Sequence, residues 1–217
     1  MLLTVAFGIA IPIIIFLVAT YLLKLSPHDG ASLAAHYGSV SVVTFTAAMI
    51  FATEADFFTE PFMTSLVAIL EIPGIVVALV LASMKSESVN WRTAVHEVLT
   101  GRSVLLLVGG IFIGVASSAN SFSRVEPFFV GMFAGLLTLF LLDMGASVAT
   151  RFIESGRPPL RMAIFAIVSP IIFGTLGIVA AHAIGLSIGG SAVFGIMAAS
   201  ASYIAAPSAV RIALPNA

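Results

Sequence analysis

The chain is 217 residues long, with 60% hydrophobic residues and 9% charged ones, far below the about 25% charged typical of soluble domains. That composition excludes a water-soluble globular domain and indicates a polytopic membrane protein. A net charge of -1 offers no basis for nucleic-acid binding or a polybasic lipid switch, and the absence of cysteine rules out disulfides and thiolate metal sites.

Taken in chain order, seven apolar segments are long enough to approach the about 20 residues a helix needs to cross the hydrocarbon core. They run from Leu2 to Leu23, Ala31 to Thr53, Pro61 to Met84, Ser103 to Ala119, Val125 to Thr150, Leu160 to Ile184 and Ser187 to Pro207. No basic region and small-residue cleavage site frame the first, so it is expected to stay as a span rather than leave as a signal peptide. The expected fold class is all-α, a polytopic transmembrane helical bundle with inverted repeats and broken helices.

Lys24, Lys85, Arg92, Arg102, Arg151, Arg157, Arg161 and Arg211 fall on one side of such a seven-span path, and only Arg124 falls opposite, with Glu54, Asp56 and Glu60. Basic residues accumulate on the cytoplasmic side, so the chain is expected to start outside and end inside. Between the third and fourth spans, Trp91, Val95, Val98 and Leu99 recur at helical spacing opposite Arg92, Thr93, His96 and Glu97. This predicts an amphipathic helix lying at the cytoplasmic interface over Ser88 to Arg102.

Placing Gly30 on Gly189 aligns GASLAAHYGSVSVV with GGSAVFGIMAASAS, setting Ser32 on Ser191 and Ser41 on Ser200. On the charge-derived topology the first two spans run opposite to the sixth and seventh, the pattern of an inverted repeat. Residues 1–84 then form part of a first repeat with three spans, 85–102 a connector and 103–217 most of a second repeat with four. The unmatched spans predict that two spans before the first and one after the last are missing from the chain.

The stretch from Gly189 to Arg211 begins as apolar sequence and passes into Ser200, Ala201, Ser202 and Tyr203 before Pro207, which forbids a continuous helical hydrogen-bond ladder. Non-helical backbone at membrane depth survives only when covered by protein or lining a water-filled cavity. Pro207 suits the first turn of a second short helix, whose free N–H groups favour an anion. The second span is similarly rich in hydroxyls, at Ser39, Ser41, Thr44 and Thr46. Eleven residues separate Gly30 from Ser41 and Gly189 from Ser200, about 16 Å of helix and half of a ~30 Å hydrocarbon core.

Helix packing alone explains one such cluster, because small and hydroxylated residues are common where membrane helices touch. Two at matching depth in mirrored spans favour a binding site, with hydroxyls and half-helix N–H groups for a small oxyanion and freed carbonyls for Na⁺. Glu71 and Asp143 are carboxyls inside apolar runs. Each costs about 3 kcal/mol on insertion scales, so each is a candidate for sodium or proton coupling, or else a group that only joins helices. His28, His36, His96 and His182 fall on separate segments and make no metal set. Ser41 and Ser200 have no base visible in the sequence, which argues against an enzyme. Arg211 is placed to neutralise an anion or, as the better fit, to anchor the cytoplasmic end of its helix.

Through HYGSVSVVTF (His36 to Phe45), LDMG (Leu142 to Gly145) and AASASYIAAPSAVRIALPNA (Ala198 to Ala217), the whole chain resembles the sodium-dependent bicarbonate transporters of the SbtA-like permease family. The resemblance implies ten spans in two inverted repeats, a core domain moving against a gate domain, a homotrimer in the plasma membrane, and a cytoplasmic PII-like regulator. It implies no cofactor beyond Na⁺ as coupling ion. It sets Ser41 and Thr44 in the first broken helix and Ser200 and Ser202 in the second as ligands between which bicarbonate and Na⁺ bind, and Glu71 in the acidic place before an Ile-Pro pair. Glu71, Asp143 and Thr46 are the candidates for sodium binding or coupling. Val43 and Tyr203 depart from the hydroxyl and the acid that some members carry there, and the short central segment makes docking of the regulator through a long loop doubtful. The reading is a sodium-coupled symporter taking up bicarbonate by elevator-like alternating access; the alternatives are a carrier of another small anion or organic acid and a non-transporting membrane scaffold.

Overall fold

The computed structural model describes residues 1–84, 96, 99–100, 102–203 and 205–214, and the regular structure among them is helical. Helix α1 (Leu2–Leu17) runs on through a π-helical turn (Val18–Leu22) and is followed by α2 (Pro27–Gly38), α3 (Val42–Glu54) and α4 (Met63–Ser83). Then come α5 (Arg102–Ala116), α6 (Ala119–Glu126), a π-helical turn (Pro127–Gly131), α7 (Phe133–Ser155), α8 (Leu160–Ala183), α9 (Ile188–Ala199) and α10 (Ala205–Ala213). The interfacial helix expected over Ser88 to Arg102 lies, for the most part, outside the described residues.

Among the described residues, five helical stretches are long and apolar enough to cross a membrane: Leu2–Leu22, Pro27–Glu54, Met63–Ser83, Ser121–Glu154 and Leu160–Ala183. Two of the seven expected segments, the fourth and the seventh, are not among these stretches. Helix α5 is described over 15 residues from Arg102, with residues 99–100 before it also helical. The seventh is divided into α9 and α10 by its interruption.

The chain forms two compact units that do not follow sequence order. One comprises Val108–Ile164, where the apolar side chains of α7 such as Leu139 and Leu142 are exposed, a surface suited to a hydrocarbon solvent. The other joins Met1–Leu107 to Phe165–Ala217 and holds the buried core. In it α1, α2 and α4 pack on one another, α3 lies against α9, and α10 lies against α2 and α4.

Two apolar clusters make up that core. One gathers Ile15, Ala34, Ile75 and Leu79 with Ala206 and Ala209 around α2 and α10. The other gathers Phe45, Leu66 and Val67 with Val193, Phe194 and Met197 around α3 and α9. Helix α4 passes through both, contributing Met63 to Leu70 to the second cluster and Ile75 to Ala82 to the first. Glu71 sits between the two contributions.

The approach of α2 to α4 depends on glycine at a single crossing. A Cβ placed on Gly74 would lie 1.8 Å from the Gly38 carbonyl oxygen, and one on Gly38 would lie 2.9 Å from both the Gly74 Cα and the Pro12 Cβ. The backbones therefore touch without intervening side chains, which brings the interruption after Gly38 against the helix that carries Glu71. Gly74→Ala should lower the thermal unfolding midpoint of the purified protein, with an overpacking penalty of at least about 1–3 kcal/mol. Gly110→Ala in α5, where a Cβ meets nothing within 4 Å, should leave the midpoint unchanged or slightly raised.

Candidate functional site

Both interruptions are built by serine caps. Helix α2 has Ser26 as its N-cap, with Ser26 Oγ accepting the Asp29 N–H, and ends at Ser39 in extended backbone (φ -114, ψ 140). Helix α9 likewise has 12 residues, an N-cap Ser187 whose Oγ accepts the Gly190 N–H, and an extended C-cap Ser200 (φ -76, ψ 160). The helices beyond the breaks restart on hydroxyls. Ser41 Oγ accepts the Thr44 N–H at 3.1 Å and Ser202 Oγ accepts the Ala206 N–H at 3.2 Å. Pro207 falls in the first turn of α10, where its missing N–H costs nothing.

These caps correct the internal register. Ser26 matches Ser187 and Ser39 matches Ser200, so Ser41 matches Ser202 rather than Ser200, a shift of two residues from the alignment of Gly30 with Gly189. Ser41 and Ser200 nevertheless meet. The Ser41 N–H donates to Ser200 Oγ at 3.2 Å, and Ser200 Oγ donates to the Met197 carbonyl at 2.9 Å. In the matching position of the other break, the Ser202 N–H donates directly to the His36 carbonyl at 2.7 Å. His36 and Met197 both lie in the last turn of their helices, where carbonyls have no partner within the helix. Because α3 leaves the crossing alongside the incoming α9, and α10 leaves it alongside the incoming α2, the two broken helices run in opposite directions through a shared level.

Beside this crossing is a cavity of about 30 Å³ lined by Val40, Ser41, Val42, Glu71, Ser202, Tyr203 and Ala205, more than the about 10–15 Å³ that holds one water. Ser39, Ser41, Glu71, Ser200 and Ser202 are all buried. Ser41 Oγ accepts from the Thr44 Oγ1 hydroxyl at 3.0 Å as well as from the Thr44 N–H, and it donates to the Tyr203 phenol at 2.9 Å. Its single hydrogen is thereby committed to Tyr203. Ser39 Oγ and Glu71 Oε2 are buried without a hydrogen-bond partner among the described residues. A carboxyl oxygen left open inside a membrane protein is a candidate site for a small cation or a proton.

Within the larger unit the structure brings together Ser41, Thr44, Ser200, Ser202 and Glu71. Thr46 Oγ1 donates back to the Val42 carbonyl at 2.9 Å within α3, and Asp143 is exposed on α7 in the other unit. Of the remaining residues weighed, His36 contributes its carbonyl, while its Nδ1 is bonded to the Ser32 carbonyl at 2.7 Å. Arg211 is exposed in the last turn of α10. Tyr203 enters the cluster as the partner of Ser41; as a sequence signal it stood out only as a departure from a family pattern.

Ser200→Ala should destabilise the protein by about 1–3 kcal/mol, because it strands the buried Ser41 N–H. Ser39→Ala removes a hydroxyl that has no partner and should leave the thermal midpoint unchanged or raised. Parallel thermal unfolding of the two variants checks the contrast.

The family model of the Na⁺-dependent bicarbonate transporter superfamily matches residues 1–217. No curated protein matches the chain.

Proposed function

The chain belongs to the Na⁺-dependent bicarbonate transporter superfamily, and from that premise we propose that it is a symporter taking up bicarbonate with Na⁺ by elevator-like alternating access. Its membership and its apolar helices make it a multi-pass membrane protein of a transporter superfamily. The observation that carries the finer reading is the cavity where two oppositely directed broken helices cross, walled by serine hydroxyls and a buried carboxylate.

Its size favours a small solute. About 30 Å³ is far below the about 300–1,000 Å³ of sites for drug-sized ligands, which disfavours a bulky organic acid. A scaffold whose polar groups only join helices gives no reason to keep Glu71 Oε2 unpartnered, since a buried polar atom without a bond costs stability. In the proposed roles, Ser41, Thr44, Ser200 and Ser202 hold the bicarbonate, and the hydrogen Ser41 now donates to Tyr203 passes to an anion oxygen. Glu71 is the sodium ligand at the crossing, with Thr46 and Asp143 as further coupling residues. Sodium neutralises the site, the anion binds beside it, and one bundle moves both ions inward. The family resemblance extends this reading to a homotrimer in the plasma membrane and a PII-like regulator on the cytoplasmic side.

Ser41→Leu and Ser200→Leu should each abolish sodium-stimulated uptake of labelled bicarbonate in vesicles, and undiminished uptake in both would remove the site from this crossing. Sodium should also raise the thermal midpoint over potassium at equal ionic strength, corresponding to about 2.7 kcal/mol at a hundred times the dissociation constant. Glu71→Gln should remove that increment.

A further inference from the structure

A polar tie between the two broken helices also lies outside the crossing, at the far end of α9. Glu60 stands in the segment joining α3 to α4, and its carboxylate accepts the Ser187 N–H at 2.6 Å through Oε1 and the Ser187 Oγ hydroxyl at 3.2 Å through Oε2. The single Ser187 hydroxyl hydrogen is shared between Glu60 Oε2 and the nearer Phe58 carbonyl at 2.7 Å, while its oxygen accepts the Gly190 N–H at 2.9 Å. A Cβ on Gly190 would fall 1.8 Å from Glu60 Oε2, and one on Gly189 would fall 2.3 Å from the Phe58 oxygen. Two consecutive glycines thus form a seat that the loop fills. The negative charge lies where the N-terminal end of a helix dipole is positive. At the matching start of α2 the cap stays within its own helix, Ser26 bonding to Asp29 through both its backbone and its carboxylate.

Helix α9 acts as a lever about a second contact. Gly195 is pinned against α8, since its Cβ would sit 2.8 Å from the Gly174 oxygen and 2.3 Å from Ile178 Cγ1. Ser187 lies on one side of that pivot, and the interruption at Ser200 to Tyr203 lies on the other. Any swing of the helix start is therefore returned as a displacement of Ser200 and Ser202 against Ser41. We propose that Glu60 is a positioning residue: its carboxylate holds the start of α9 on the loop after α3 and thereby sets the alignment of the two breaks. This rests on reading the breaks as the sodium and bicarbonate site.

The test uses two measurements on the whole protein. One is the half-saturating bicarbonate concentration for sodium-driven uptake. The other needs no substrate: the rate at which a maleimide labels Val40→Cys, a buried cavity-lining position in a chain with no natural cysteine. Glu60→Ala should raise both about fivefold, in keeping with the loss of one helix cap, with the amount of protein in the membrane unchanged. Glu60→Asp, short by one methylene, is read in the same way should the alanine variant not accumulate. Gly190→Ala should act in the same direction by evicting the carboxylate. Glu60→Gln, which keeps an acceptor for the Ser187 N–H, should bring both readings back toward the parent. If Glu60→Ala and Glu60→Asp leave labelling and half-saturation at parental values, or lower only the maximal rate, the positioning role is overturned. A parent protein that labels normally yet shows no sodium-driven bicarbonate uptake refutes the substrate reading instead, and a labelling response to Glu60→Ala in that protein would still support the brace.

Discussion

The structure depends on a rule of solvent: no water is available inside a bilayer to satisfy a backbone group that an interrupted helix leaves open. Each broken helix here satisfies the other. The Ser202 N–H goes to the His36 carbonyl, and the Ser41 N–H goes to Ser200 Oγ and through it toward Met197. Neither interruption is self-sufficient, so the two must lie at one level, and a polar layer forms between the two apolar clusters of the core. That layer is where ions of either sign find partners, because serine hydroxyls can donate or accept.

Packing brings Glu71 to the layer. The contact of Gly74 with Gly38 removes the usual side-chain spacing between α4 and the end of α2. One turn before that contact, Glu71 faces the cavity. Pro73, within the same helix, denies the ladder one donor and frees a carbonyl a turn earlier. A carboxyl, a proline and a glycine within four positions thus work as one device for bringing a carboxyl group to the crossing.

Much of this was legible from residue types. Apolar runs located the long helices, and hydroxyl-rich stretches with Pro207 located the interruptions. The internal register was not, since glycine, alanine and serine recur so densely that several offsets look alike; the actual offset is set by which serines cap helix ends. Asp143 and Glu71 looked equivalent as carboxyls in apolar sequence. Which face of its helix each occupies follows from packing, and that separates a buried Glu71 from an exposed Asp143. The bond from Glu60 to Ser187 spans 127 positions, beyond any local pattern.

The two cross-connections differ in one respect that bears on motion. Main chain meets main chain where Ser202 binds His36, whereas Ser41 is joined through a hydroxyl that pivots about a single χ1 bond. Side-chain rotations of that kind take picoseconds to nanoseconds in exposed settings and are slowed by burial, but they need no movement of the helix axis. The pseudo-symmetric pair therefore has a stiff seam and a swivelling one, and Ser41 is on the side that can exchange partners while the scaffold around it stays still.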